Sequence, residues 1–208
     1  MKKVLSVFLA VIMLLSMSAT AFAAELPESV SGNGYSFYYR DCEDGIIETP
    51  LEGEITVEHH PAIDTAASAR GLYSYTVTQT SRGLYDGYYP ITNWALGPGT
   101  LTYTAEVGTT VSFEVSGTIS AEVEVPAATL SAELGASVGG STTFTASESI
   151  EYDIPSGYKG RVVMRYYQDI FNFDWEKKLL GITISSGSGY AWSDGRDPYY
   201  ARQLISAY

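Results

Sequence analysis

The chain has 208 residues, with 24 acidic side chains against 12 basic ones, 17 tyrosines, 20 glycines and one cysteine. So acidic a balance repels phosphate backbones and excludes nucleic acid as an expected partner. The lone thiol, Cys42, leaves no intramolecular disulfide, so packing and sheet hydrogen bonds must supply the stability.

Met1-Lys2-Lys3, the apolar run Val4–Leu15 and the small residues ending in Ala21-Phe22-Ala23-Ala24 have the order of a secretory signal peptide. The apolar run is short for a membrane span. Cleavage after Ala23 or Ala24 is expected, which makes the protein secreted and extracellular. Loss of residues 1–23 removes Lys2 and Lys3 and leaves ten basic residues against 24 acidic ones, a net charge of −14.

Residues 24–99 read as an aromatic-rich N-terminal β region. Tyr35–Arg40 is a strand candidate, followed by the acidic turn Asp41-Cys42-Glu43-Asp44-Gly45. Ile46–Glu58 offers another strand, with Ile55 and Val57 alternating against Thr56 and Glu58. His59–Arg70 has no clean period. Arg70-Gly71-Leu72-Tyr73 recurs as Arg82-Gly83-Leu84-Tyr85, and the alternation between the copies suggests that they flank two strands of a hairpin. Tyr88-Tyr89-Pro90 and Leu96-Gly97-Pro98-Gly99 read as turns.

Residues 100–208 read as a long-stranded antiparallel β region. From Leu101 to Val125 nearly every odd position is apolar or small and the even ones are Thr, Ser, Glu or Gly. Only a period of two sorts residues this way. Unbroken, the run would reach about 80 Å at roughly 3.3 Å per residue, so a bend at Gly108 or Gly117 is expected, and Pro126 ends it. Beyond Pro126 the phase flips, which pairs Phe113–Val125 with Thr129–Val138 as a candidate hairpin. The second arm is also rich in helix formers, with Leu130 and Leu134 four apart, so a helix competes with that strand. Gly139-Gly140 and Pro155–Gly160 are further turns. Strands are expected around Phe144–Ile154, Arg161–Tyr167, Phe171–Trp175, Ile182–Ile184 and Tyr190–Trp192. The expected fold is mainly β: an elongated antiparallel sheet or a β-sandwich with long amphipathic strands, behind a cleaved signal peptide.

The chain has no G-x-S-x-G elbow, Walker loop, H-E-x-x-H helix or C-x-x-C pair. His59 and His60 are adjacent, so on a strand they face opposite ways and cannot grip one ion together. Neither enzymatic activity nor a cofactor or metal is expected. The carboxylates of Asp41–Gly45 and Asp194–Asp197 are of the type calcium uses, but neither turn matches the EF-hand loop. Aromatic rings stack on sugars, which makes Tyr88, Tyr89, Trp94 and Trp192 candidate ligand-binding residues; a place in the core is the alternative for each.

The segment Thr100–Tyr167 resembles the aerolysin-like β-pore-forming proteins. The resemblance rests on Ser/Thr-rich alternating strands around an amphipathic insertion, then Tyr152-Asp153-Ile154-Pro155 running into a turn and another strand. It implies a protein that binds a receptor through its aromatic N-terminal part, oligomerises, and inserts a hairpin into a target membrane. Ile119, Ala121, Val123, Val125, Leu130, Leu134 and Val138 would face lipid. The chain departs from that pattern in its short length, in Pro126 at the hairpin tip and in lacking an evident activation site. The functional expectation is non-enzymatic binding at a cell surface or in the cell envelope, with a cell-surface glycan or protein as partner. The alternative is the pore former, whose partner after oligomerisation is the membrane.

Overall fold

A computed structural model describes residues 35–41, 43–62, 72–104 and 110–208. The expected signal peptide and Cys42 lie outside them. Among the described residues the protein is mainly β, with several sheets and one short helix. The strands are β1 (Phe37–Arg40), β2 (Ile47–Leu51), β3 (Ile55–His60), β4 (Tyr73–Pro90), β5 (Ala95–Leu96), β6 (Gly99–Tyr103), β7 (Ser112–Ser116) and β8 (Thr118–Ile119). After the helix α1 (Ala127–Leu134) come β9 (Ser141–Ala146), β10 (Ile150–Ile154), β11 (Tyr158–Leu179), β12 (Ile182–Trp192) and β13 (Arg196–Ser206).

β11 organises the molecule. Its 22 residues pair antiparallel with β4 over Val163–Leu179. On the other side it pairs with β13 over Tyr158–Tyr167 and then with β12 over Ile170–Leu179. β1 joins β4 in parallel, β2 joins β13, β8 joins β12 and β5 joins β11. Separate sheets are formed by β3, β9 and β7 and by β6 and β10. Strands from either side of residue 100 therefore share sheets.

Alternation along β11 serves two cores. Val162 and Met164 enter one apolar cluster with Val115, Phe144, Ile154 and Tyr200. Phe171, Phe173 and Trp175, of opposite parity, enter another with Leu130, Leu134 and Val138. Since successive side chains leave a strand on opposite sides, the clusters cover opposite faces at its two ends. Arg161, Val163 and Arg165 point away from the first cluster. β1 and β2 lie at opposite edges of the array β1-β4-β11-β13-β2, so the connection between them crosses this face. The Asp41 carbonyl in that connection accepts a bond of 2.7 Å from Nη1 of the fully buried Arg165.

Several sequence expectations are corrected. Thr129–Val138 is not a strand: Ala127–Leu134 is helical, and the expected hairpin with Phe113–Val125 does not form. Leu130 and Leu134, one turn apart, are both buried, and this shared apolar stripe together with the helix formers decides for the helix. Pro126 stands at its N-cap and Gly135, at φ 66°, closes its C-terminus in the left-handed conformation glycine favours. The alternating run from Leu101 is divided among β6, β7 and β8 and ends in a turn at Ala121-Glu122. The extended strands lie elsewhere. Tyr88-Tyr89-Pro90 belongs to β4, which runs unbroken from Tyr73 through the second Arg-Gly-Leu-Tyr copy, so that copy starts no new strand. Phe171–Trp175 and Arg161–Tyr167 are parts of one strand, as are Ile182–Ile184 and Tyr190–Trp192, whereas Ile46–Glu58 divides into two.

Candidate functional site

A cleft of roughly 390 Å³ opens where β3, β4, β11 and the start of β13 meet the end of α1. Asp169 of β11, almost fully buried, forms its floor. It accepts a 3.0 Å bond from Nη2 of Arg82 on β4 and a 3.1 Å bond from Nε of Arg196 on β13. The Tyr35 hydroxyl accepts from both guanidiniums, at 3.3 Å from Arg82 and 2.8 Å from Arg196, and the Arg82 guanidinium lies 4.7 Å above the Tyr35 ring. Burial opposes the charge of Asp169, but hydrogen bonds from Arg196 and Tyr35 and the positive charge of both arginines outweigh it, so its carboxyl is held below the usual range. Burial is also the main cause that raises the Tyr35 phenol. Arg196 pairs on its outer side with exposed Asp197.

The lining also carries His59 and Asp194, with the fully buried Thr142 behind them. The Thr142 hydroxyl donates to Asp194 Oδ2 at 3.3 Å, and its oxygen lies 3.0 Å from His59 Nδ1. With its hydroxyl hydrogen given to Asp194, the Thr142 oxygen is left to accept from Nδ1 of His59. Asp194 is itself fixed by the backbone, its N–H donating to the Ser137 carbonyl at 3.1 Å beside a bridge between Val138 and Ser193. Ser137 follows α1, so the helix the sequence disguised as a strand sets one rim of the cleft.

Two guanidiniums thus face two carboxylates, and the lining is close to charge balance. Planar guanidinium, carboxylate and imidazole groups offer paired donors and acceptors at fixed spacing, which suits a polar ligand bearing neighbouring hydroxyls. Among the described residues no group of three or more His, Cys, Asp or Glu is placed to hold a metal ion.

The aromatic candidates do not line this cleft. Tyr88 and Trp94 come together around Arg161, whose guanidinium lies 5.1 and 4.4 Å from their rings and donates to the Tyr88 hydroxyl at 3.2 Å. Tyr89, one residue on, points the other way and stacks on Phe113 at 4.3 Å. Trp192 sits 5.4 Å from Tyr85. Of the residues expected to face lipid, Val125, Leu130, Leu134 and Val138 are buried in the core beneath α1, Ile119 and Val123 pack against it, and Ala121 is exposed in the turn.

The chain matches no family model, no curated protein and no solved structure.

Arg82 stands in the repeated Arg-Gly-Leu-Tyr, and Asp194 and Arg196 in the acidic turn, but nothing in the sequence joins them. His59 and His60 indeed diverge, bonding Thr142 and Thr143 separately; only pairing with β9 brings His59 beside Asp194. Tyr35 and Asp169 carry no local signal.

Proposed function

We propose that this is a secreted, non-enzymatic binding protein acting at a cell surface or in the cell envelope, and that the cleft takes a polar, uncharged portion of a surface glycan. The observation that carries the reading is the clamp of Arg82 and Arg196 on Asp169, which shares the cleft with His59 and Asp194. Each group is held by another, which suits recognition by preset geometry: a ligand meets donors and acceptors whose ordering cost is already met by the fold. Balanced charge favours hydroxyls over a carboxylate or phosphate.

Glycan-array binding with the mature protein, followed by calorimetry on the best saccharide, tests this. His59→Ala and Arg196→Gln are each expected to weaken binding about 10- to 100-fold, the scale of a lost hydrogen bond to a charged or buried group. Trp94→Ala, outside the cleft, is expected to leave it unchanged. An array without a binder, or affinity insensitive to both cleft variants, would refute the assignment.

A further inference from the structure

Among the described residues, the far end of the β4-β11-β12 ribbon is apolar and exposed. Leu180 is 84% exposed, Ile182 70%, Leu72 63% and Ile184 50%. They gather at one end because Leu179 pairs with both Tyr73 and Ile182. The core beneath α1 reaches only as far as Trp175 and Tyr75. Leu180 and Gly181, at φ 50° and 83°, are the two residues of the turn between β11 and β12. Such a turn favours Asn-Gly, since a leucine in the left-handed region is strained. Leucine at 180 is thus unfavourable both to the backbone and to solvation, and local stability does not account for it.

A pair of lysines borders the same place, on the tip side of Asp174 and Glu176. Residues 177–187 carry Lys177 and Lys178 and no carboxylate, and residues 72–81 carry no charge at all, in a chain with net charge −12. Lys177 lies 5.1 Å from the Tyr73 ring. The two ammoniums pair with Glu124 and Glu176, and exposed pairs of this kind yield readily to competing phosphates. An apolar tip followed by a tyrosine and a pair of lysines is the order of groups that matches the acyl, interfacial and headgroup layers of a bilayer.

We propose that this hairpin tip is a lipid-docking element: Leu72, Leu180, Ile182 and Ile184 enter the acyl boundary of an anionic bilayer while Lys177 and Lys178 meet headgroup phosphates. A projecting hairpin end fits a fluid surface that can close around it. The tip shares no residue with the glycan cleft.

Co-sedimentation with vesicles of phosphatidylcholine alone and of an equimolar phosphatidylcholine–phosphatidylglycerol mixture tests it. The wild type is expected to bind the mixture more tightly, and a Tyr73→Trp reporter to shift its emission to the blue on binding. Leu180→Asn with Ile182→Thr, substitutions suited to a turn and a strand, should lower binding at least about tenfold without lowering the melting temperature. Lys177→Gln with Lys178→Gln should abolish the preference for the anionic mixture. Failure of the wild type to bind the mixture would overturn the proposal, as would equal binding by the Leu180→Asn, Ile182→Thr variant. Self-association abolished by that variant would assign the tip to a second copy of the chain instead. His59→Ala is expected to leave vesicle binding untouched, so failure of the cleft and failure of the tip are separately visible.

Discussion

Arg165 has no exposed surface, and its charge survives there because its partners are built around it. Its Nε lies 3.1 Å from each Glu48 oxygen, and Nη1 lies 3.6 Å from Asp86 Oδ1. Burial alone would lower its pKa, but the hydrogen bonds and charge of Glu48 and the charge of Asp86 outweigh that and raise it. Gln203 adds a 2.8 Å bond to Glu48, and Arg40 pairs with both carboxylates from the rim. Arg165→Met would leave two carboxylates facing a thioether in a dry setting. We expect it to cost about 3–5 kcal/mol in urea unfolding, because removing one partner of a buried pair strands the other. In the sequence this arginine sits in Val-Val-Met-Arg-Tyr-Tyr, where alternation marks its side of the strand but not that the β1–β2 connection roofs it over.

At the scale of elements, α1 shows where periodicity misleads. A stretch with apolar residues at every even position from Ala128 to Val138 satisfies a period of two, yet within it Leu130 and Leu134 also satisfy the helical spacing. The small alanines fit either pattern, so the two large leucines decide, and both reach the cluster of Phe171, Phe173 and Trp175. Leu130→Ala is expected to destabilise by about 2–5 kcal/mol, measured by chemical denaturation. Glu133→Gln, on the exposed side, should stay within about 0.5 kcal/mol. A strand would instead be sensitive at Ala132 as well.

For the whole molecule, the acid response follows from three carboxylates in and around the central sheet. Glu48 and Asp169 titrate below the usual range: burial opposes their charge, but hydrogen bonds and arginine charge outweigh it. Their contribution is present above the unfolded-state pKa and is lost as pH falls through the depressed folded value. Asp86 behaves oppositely. Burial raises its pKa despite Tyr38, Arg165 and Arg40, so its protonation adds stability as pH falls. The melting temperature is therefore expected to hold from neutrality downward and to drop below about pH 4. Asp169→Asn should lower the neutral value and flatten the drop, which thermal scans across pH would register. Asp86→Asn should steepen it.

The sequence by itself determined that the chain is built mainly of sheet: composition and two-residue alternation are local properties, and local chemistry suffices to read them. It also marked most strand segments and the turns near Gly139-Gly140 and Pro155. Which segments merge into one strand depended on partners. β11 runs on from Tyr158 to Leu179 because β4 offers it a ladder over Val163–Leu179, with β13 and then β12 on its other side. The cleft was decided by tertiary structure alone, since Tyr35, His59, Arg82, Asp169, Asp194 and Arg196 come from distant parts of the chain. Their meeting follows from strand register and from packing of α1 on the ribbon, neither of which has a signature within any short stretch of residues.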